Sequence, residues 1–225
     1  MATETRTLHL TRLHLGPRSR TAHRDLRDAH LMHRRIMSLY PDQMSDGTRA
    51  RAELGVLYRI ERDRHATTVL IQSPLAPDTA ALPADYLATP PQSRTLGPLL
   101  DWLTDGATVR YRIDATPTRA IATQDRRPDG KRKPGKRTPL FGADAVAWWD
   151  RQAHTAGLDP QLILDTPQTP ATGNRDGHRV RHSLTRFEGI ATITDTTALR
   201  AALTTGIGRG RAYGAGLLSL APITG

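Results

Sequence analysis

The chain has no cysteine in its 225 residues, which excludes both a disulfide framework and a cysteine-ligated zinc site and permits a reducing compartment. Its first residues lack a positive segment followed by an apolar core. No stretch approaches the roughly 20 apolar residues needed to span a bilayer. These two absences lead us to expect a cytoplasmic protein without a membrane partner. Aromatic residues are scarce as well, at 4%. A nucleic acid, if one is bound, is then recognised through shape and phosphate contacts more than through base stacking.

What the chain has in excess is positive charge: 32 Lys and Arg against 22 Asp and Glu, a formal net charge of +10. Such a balance favours a polyanionic partner, with nucleic acid the first candidate. Nearly all of these cations are arginine in an alanine-rich chain, a bias that genomic base composition can produce, so distribution is better evidence than the total. All the lysines of the protein, Lys131, Lys133 and Lys136, fall in the stretch Arg126 to Arg137, among Arg126, Arg127, Arg132 and Arg137 and with Asp129 the only acid. Proline and glycine forbid a helix there, and a mobile basic loop is expected.

Read in order, the chain alternates strands and helices twice. Arg6 to Leu15 reads as a strand with a slip at Thr11-Arg12 that suggests a bulge. Thr21 to Tyr40 reads as one helix with Leu26, Ile36 and Tyr40 in a single arc, ended by Pro41. Leu54 to Glu61 and Thr67 to Gln72 read as a hairpin. A short helix near Asp85 to Ala88 follows in a proline-rich stretch, and Leu96 to Leu103 reads as a closing strand. A second cycle takes Val109 to Ala122 as a strand, Ala143 to Ala156 as a helix, Gln161 to Leu164 as a brief strand and Arg179 to Ile193 as a long one. Asp195 to Thr205 is a helix, and the apolar segment after the glycine-rich stretch is a short buried strand. The order predicts an α+β protein of two tandem ferredoxin-like βαββαβ domains, residues 1–104 and 105–225.

Three further stretches could carry chemistry. In Ala29-His30-Leu31-Met32-His33-Arg34-Arg35-Ile36, a helix places His33 within the apolar arc and His30 at its edge. Such a histidine is commonly a satisfied core residue. It is also the side chain suited to proton transfer near neutral pH, with a neighbouring arginine to offset charge. A His-x-x-His metal pair is the rival, but no carboxylate stands at a helical spacing to complete it, and no metal or other cofactor is expected. The turn-rich Thr172 to His182 reads as the tip of a hairpin carrying Arg175, Arg179 and Arg181. Finally, Gly206 to Leu220 runs five glycines and two arginines, including Gly208-Arg209-Gly210-Arg211, from a helix into a strand. This order is unlike the usual phosphate loops, which follow a strand and open a helix. Glycine there lets a ligand approach the backbone closely.

From Gly206-Ile207-Gly208 through Gly214-Ala215-Gly216-Leu217-Leu218-Ser219-Leu220-Ala221-Pro222, the tail resembles the glycine-rich loop of the repeat-associated RNA-binding proteins of CRISPR systems. It looks most like the CasE family of type I-E endoribonucleases that process CRISPR precursor RNA. The resemblance implies that His33 is the catalytic histidine of a Tyr-x-Met-His-Arg type of motif. His30 stands in place of the tyrosine, exchanging a group of pKa about 10 for one of about 6.5. Where some relatives use a lysine farther along the helix, this chain has Ser38, with Arg34 or Arg35 as substitutes. It further implies metal-independent cleavage of repeat RNA at the base of a stem-loop by attack of the 2'-OH. Stem contacts are implied from Lys131, Arg132, Lys133, Lys136 and Arg137, from Arg175, Arg179 and Arg181, and from Gly208, Arg209, Gly210 and Arg211. The mature guide RNA would stay bound, and the protein would join the Cascade complex. The alternatives are an inactive RNA-binding scaffold of the same fold and a generic nucleic-acid-coating protein.

Overall fold

Residues 7–41, 55–122, 126, 130, 135–175 and 178–223 are described by a computed structural model. The first unit runs β1 (His9–His14), α1 (Arg20–Arg27), α2 (Ala29–Met37), β2 (Leu57–Arg62), β3 (Thr67–Ser73) and β4 (Gln92–Thr95). After α3 (Gly97–Trp102), the second unit begins with β5 (Thr108–Ala115). A small ribbon of β6 (Thr118–Ile121) and β7 (Lys136–Pro139) follows, then α4 (Ala143–Thr155), β8 (Leu158–Arg175), β9 (His178–Ile193), α5 (Thr196–Thr205) and β10 (Ser219–Pro222). Each unit holds a four-stranded antiparallel sheet, in the orders β2-β3-β1-β4 and β10-β5-β9-β8. Both are the same ferredoxin-like order read from opposite ends, so the tandem α+β architecture read from the sequence is the observed one.

Several expectations are corrected. The helix expected over Thr21 to Tyr40 is broken at Asp28, which has the extended conformation φ −130, ψ 108. Its carboxylate accepts from the N–H groups of His30 at 2.8 Å and Leu31 at 3.2 Å, so it caps a new helix. Aspartate competes with the helix backbone in mid-helix but satisfies orphan donors at an N-cap. The bulge expected in β1 is absent: pairing with β3 is continuous from His9↔Ser73 to His14↔Thr68, because Thr11, 1% exposed, takes an inward place beside Leu13. Leu96 to Leu103 is not a strand. Its leucines at 96, 99, 100 and 103 have helical spacing, and Pro98 sits in the first turn of α3, where a missing N–H costs nothing. The closing strand is the exposed β4 just before it. In place of the helix near Asp85 there is a 3₁₀ turn at Thr79–Ala81.

The brief strand at Gln161 is instead the 18-residue β8. Pro160, Pro167 and Pro170 disguise it, and they are tolerated because β8 is an edge strand whose register slips at Pro160/Leu162 and Gln168/Ala171. Thr116-Pro117 ends β5 and sends the chain into the β6-β7 ribbon, so Lys136 and Arg137 stand on a strand rather than in the expected loop. The last strand is an edge strand that begins only after the buried Leu217 and Leu218.

The core of the second unit centres on Trp149, fully buried and stacked on Phe187 with ring centroids 5.5 Å apart. That of the first places Met32 and Ile36 of α2 against Val69 and Ile71 of β3. Leu57 and Leu70 meet Leu217 between the units. Beside them Arg59, 1% exposed, donates to the carbonyls of Arg112 at 3.2 Å and Leu217 at 3.0 Å, to Ser219 Oγ at 2.9 Å and to Glu61 at 2.8 Å. A buried guanidinium with its donors satisfied thus ties β2 to β5 and β10.

Candidate active site

The position of α2 is set from both ends. Asp28 fixes its start, and the buried Asp25 of α1 holds Arg35 through a 2.9 Å ion pair while the guanidinium lies 5.4 Å over the Tyr86 ring. The hydrogen bond that Arg35 donates to Asp25 raises the Arg35 pKa above its ordinary value, and the pair braces the two helices. Ser38 is also engaged, donating its hydroxyl to the Arg35 carbonyl at 2.8 Å. On the same helix His33 is buried at 8% exposure, His30 is half-buried and Arg34 is exposed.

Against this helix pack β8 and the 3₁₀ turn Arg211–Tyr213 of the glycine-rich tail. The tail is tightly held. All five of its glycines have positive φ, from 74° at Gly206 to 89° at Gly216. A Cβ at Gly206 would lie 2.7 Å from a Leu57 methyl, and one at Gly214 would lie 3.3 Å from the Tyr58 ring. The N–H groups of Ile207, Tyr213, Ala215 and Gly216 bond to carbonyls within the fold. Thr116 donates to the Arg209 carbonyl at 3.0 Å, and Tyr58 reaches across from the first unit to the Ala212 carbonyl at 3.1 Å. Here glycine answers the fold's own demand for positive φ and close packing. The exposed Arg209 and Arg211 are what the loop presents outward.

The sequence reading assigned no role to His182 and Tyr213. Their rings stack 4.6 Å apart, joining β9 to the turn of the glycine loop. Burial, followed by the nearby Arg209, pushes the His182 pKa below the ordinary imidazole value of 6.5. No local pattern could have marked this pair, since its members lie thirty-one residues apart, though His182 does share its face of β9 with Leu184 and Arg186. Between α2, β2, β8 and the tail is a cleft of about 230 Å³ lined by Asp25, Met32, Tyr58, Asp114, Leu184 and Tyr213 among others. Asp114 is charge-paired there with Arg186 at 2.7 Å.

The structure therefore brings α2, the helix that carries His30, His33 and Arg34, against the Arg211–Tyr213 turn and against β8 of the long hairpin. Arg181 is exposed on β9, while Arg175 and Arg179 stand near the hairpin end, paired with His178 and Asn174 respectively. Arg137 is exposed on β7, and Lys136 belongs to the same strand. Lys131, Arg132 and Lys133 lie outside the described residues. Among the described residues no group of three or more His, Cys, Asp or Glu is placed to hold a metal ion. No described helix is long and apolar enough to cross a membrane. The chemistry on offer is proton transfer by imidazole beside exposed cations.

Comparisons with known proteins agree. The model of a family described as CRISPR associated protein matches residues 8–222. The CRISPR-associated endoribonuclease Cse3 of Thermus thermophilus is 30% identical over 228 residues, covering 95% of this chain and 99% of its own. The CRISPR system Cascade subunit CasE of Escherichia coli K12 is 29% identical, covering 88% of this chain and 94% of its own. A solved structure of the Thermus Cse3 bound to an RNA representing a pre-cleavage complex superposes with a TM-score of 0.76 at 28% identity. It covers 96% of this chain and all of that one.

Proposed function

The chain belongs to the CRISPR-associated protein family, and from that premise we propose that it is an endoribonuclease that cuts CRISPR repeat RNA and remains with the guide RNA as a Cascade subunit. The observation that carries this reading is the packing of the His33 helix against the glycine-loop turn and the β8-β9 hairpin, in a chain 30% identical to a named endoribonuclease. The kinship to a Cascade subunit supports the assembly partner. We place the boundary between the two domains at residues 104/105, with α3 as connector leaning through Leu100 on the second core.

The mechanism follows from what RNA itself supplies. The 2'-OH next to the scissile phosphate loses its proton and its oxygen bonds to phosphorus, while the bond to the 5' oxygen breaks and that oxygen gains a proton. This leaves a cyclic phosphate on the upstream fragment and a 5'-hydroxyl on the downstream one. His33 carries one of these proton transfers, His30 is the candidate for the other, and Arg34 offsets charge on the phosphorane-like transition state. The stem is held by Arg137, Arg181, Arg209 and Arg211, together with Gly208 and Gly210 of the loop. Lys131, Arg132, Lys133, Lys136, Arg175 and Arg179 complete that set. No step requires a metal ion.

The test is cleavage of a repeat stem-loop in excess chelator, with and without a single 2'-deoxy substitution at the cut site. Cleavage that resists the chelator and stops on the deoxy substrate is expected. Loss in chelator would overturn metal independence, and cleavage of the deoxy substrate would overturn attack by the 2'-OH. The scaffold reading predicts no cutting at all.

A further inference from the structure

The outer half of the β8-β9 hairpin is not free-standing. Pairing slips between Gln168 and Ala171 and resumes at Ala171↔His182, so the residues beyond form a separately oriented tip. Among the described residues, that tip meets the start of α2, which carries His33, and the glycine-loop turn that packs on α2. On one side, Gly173 lies against the start of α2: a Cβ there would be 2.7 Å from Asp28 Oδ1 and 3.1 Å from the His30 nitrogen, where ordinary contact begins at 3.4 Å. The neighbouring Asn174 N–H donates to Asp28 Oδ2 at 3.4 Å, while Oδ1 of the same carboxylate caps the helix. On the other side, His182 stacks on Tyr213 of the glycine loop.

Asp28 therefore performs two tasks with two oxygens, starting the His33 helix and receiving the hairpin. Gly173 is a strand glycine with no positive φ to explain it, and close backbone approach is the other reason for glycine within a strand. Resting on the endoribonuclease reading above, we propose that the contact of Gly173 and Asn174 with Asp28 is a positioning device. It fixes the distance between the stem held by the hairpin and the histidine that cuts beside it, and so determines where the RNA is cut. None of these three residues touches the reacting atoms. They act through the placement of α2 relative to the hairpin, and small misplacements of reacting groups cost about 10²-fold in rate.

Gly173→Ala forces the tip off α2. Asp28→Asn keeps one oxygen for the helix cap but turns an amide NH2 toward the Asn174 N–H. Single-turnover cleavage of a repeat stem-loop RNA labelled at its 5' end, affinity for the stem-containing product, and thermal denaturation are measured for the parent and both variants. The expected result for Gly173→Ala is a cleavage rate lower by about tenfold or more, cuts appearing at neighbouring phosphates, and product affinity and melting temperature close to the parent's. Asp28→Asn should fall between the two. Because the chain has no cysteine, Ser38→Cys with Arg181→Cys can be spin-labelled in the RNA-free protein. The distance between α2 and the hairpin should be narrowly distributed, and broadened by Gly173→Ala. An unchanged rate and cut position overturns the proposal. So does an unchanged distance distribution, or a rate loss matched by equal loss of product affinity or by a fall in melting temperature. A parent protein that does not cut the RNA would sink the endoribonuclease reading itself, whereas a cutting parent with unaffected variants sinks only the positioning.

Discussion

Replacing Arg59 should loosen the joint between the two units more than any other single change outside the two cores. The side chain is 1% exposed and burial lowers its pKa, so the charge is present at a cost in hydration that only its partners offset. Arg59→Ala takes a donor from the carbonyls of Arg112 and Leu217, frees Ser219 and leaves Glu61 with Arg112 alone, at 3.2 Å. Removing one partner of a buried charged network costs about 3–5 kcal/mol. At about 2–4 °C per kcal/mol for a chain of this size, the melting temperature should fall by about 6–20 °C. Arg59→Met should cost less, about 2 kcal/mol, because it fills the volume and removes the buried charge while still taking a donor from the Leu217 carbonyl and from Ser219. Calorimetry of the two variants and the parent is the assay, read for midpoint and for separation into two transitions. If Arg59→Ala shifts the midpoint by less than about 3 °C, or Arg59→Met is the more damaging, the account of this joint is wrong.

Other expectations address the site. His33→Ala should bind the repeat stem-loop like the parent and cut it about 10²–10⁴-fold more slowly, judged by filter binding beside single-turnover kinetics. If about five phosphates are neutralised, affinity for the stem product should fall about 500-fold between 50 and 200 mM salt. Reaction with RNA in tenfold excess should then stall near one turnover, a point a time course settles. His182 has a folded-state pKa below 6.5, so the unfolded chain binds the extra proton first as pH falls. Its contribution to stability should be whole above that value and lost as the pH drops from there toward the folded value. Denaturant titrations of the parent and His182→Gln across that window should show a steeper slope in the parent.

Much of the architecture was legible because alternation and helical spacing are local signals. Val109, Tyr111 and Ile113 announce β5, and the spacing of Val146 and Trp149 announces α4. What failed to show were features whose meaning depends on distant partners. Asp28 is a cap only because the chain turns there to bring α2 against β8, and a sequence window sees merely a polar residue in a helical arc. Leu96 to Leu103 is deceptive for the opposite reason, since four leucines in eight residues look apolar throughout until their period is counted. Within the site, resemblance singled out His33. The Tyr213–His182 stack, the Tyr58 hydroxyl and the docking of Gly173 on Asp28 link residues far apart in the chain, and no spacing rule connects them.

The glycine-rich tail shows why the site needs both units. Tyr58 and Arg59 are neighbours on β2, and successive side chains of a strand leave it on opposite faces. Yet both end on the tail, Tyr58 at the Ala212 carbonyl and Arg59 at the Leu217 carbonyl and Ser219. The tail must therefore pass around β2 from one face to the other between those points, and Gly214 and Gly216, at φ 84° and 89°, lie within that passage. Leu57, on the same strand, occupies the space a Cβ at Gly206 would take. One strand of the first unit thus shapes the loop of the second, and that loop in turn packs on the first unit's α2, the helix that carries His33. Residues of β2 that touch neither His33 nor solvent are for this reason expected to govern cleavage through the geometry of Arg209 to Tyr213.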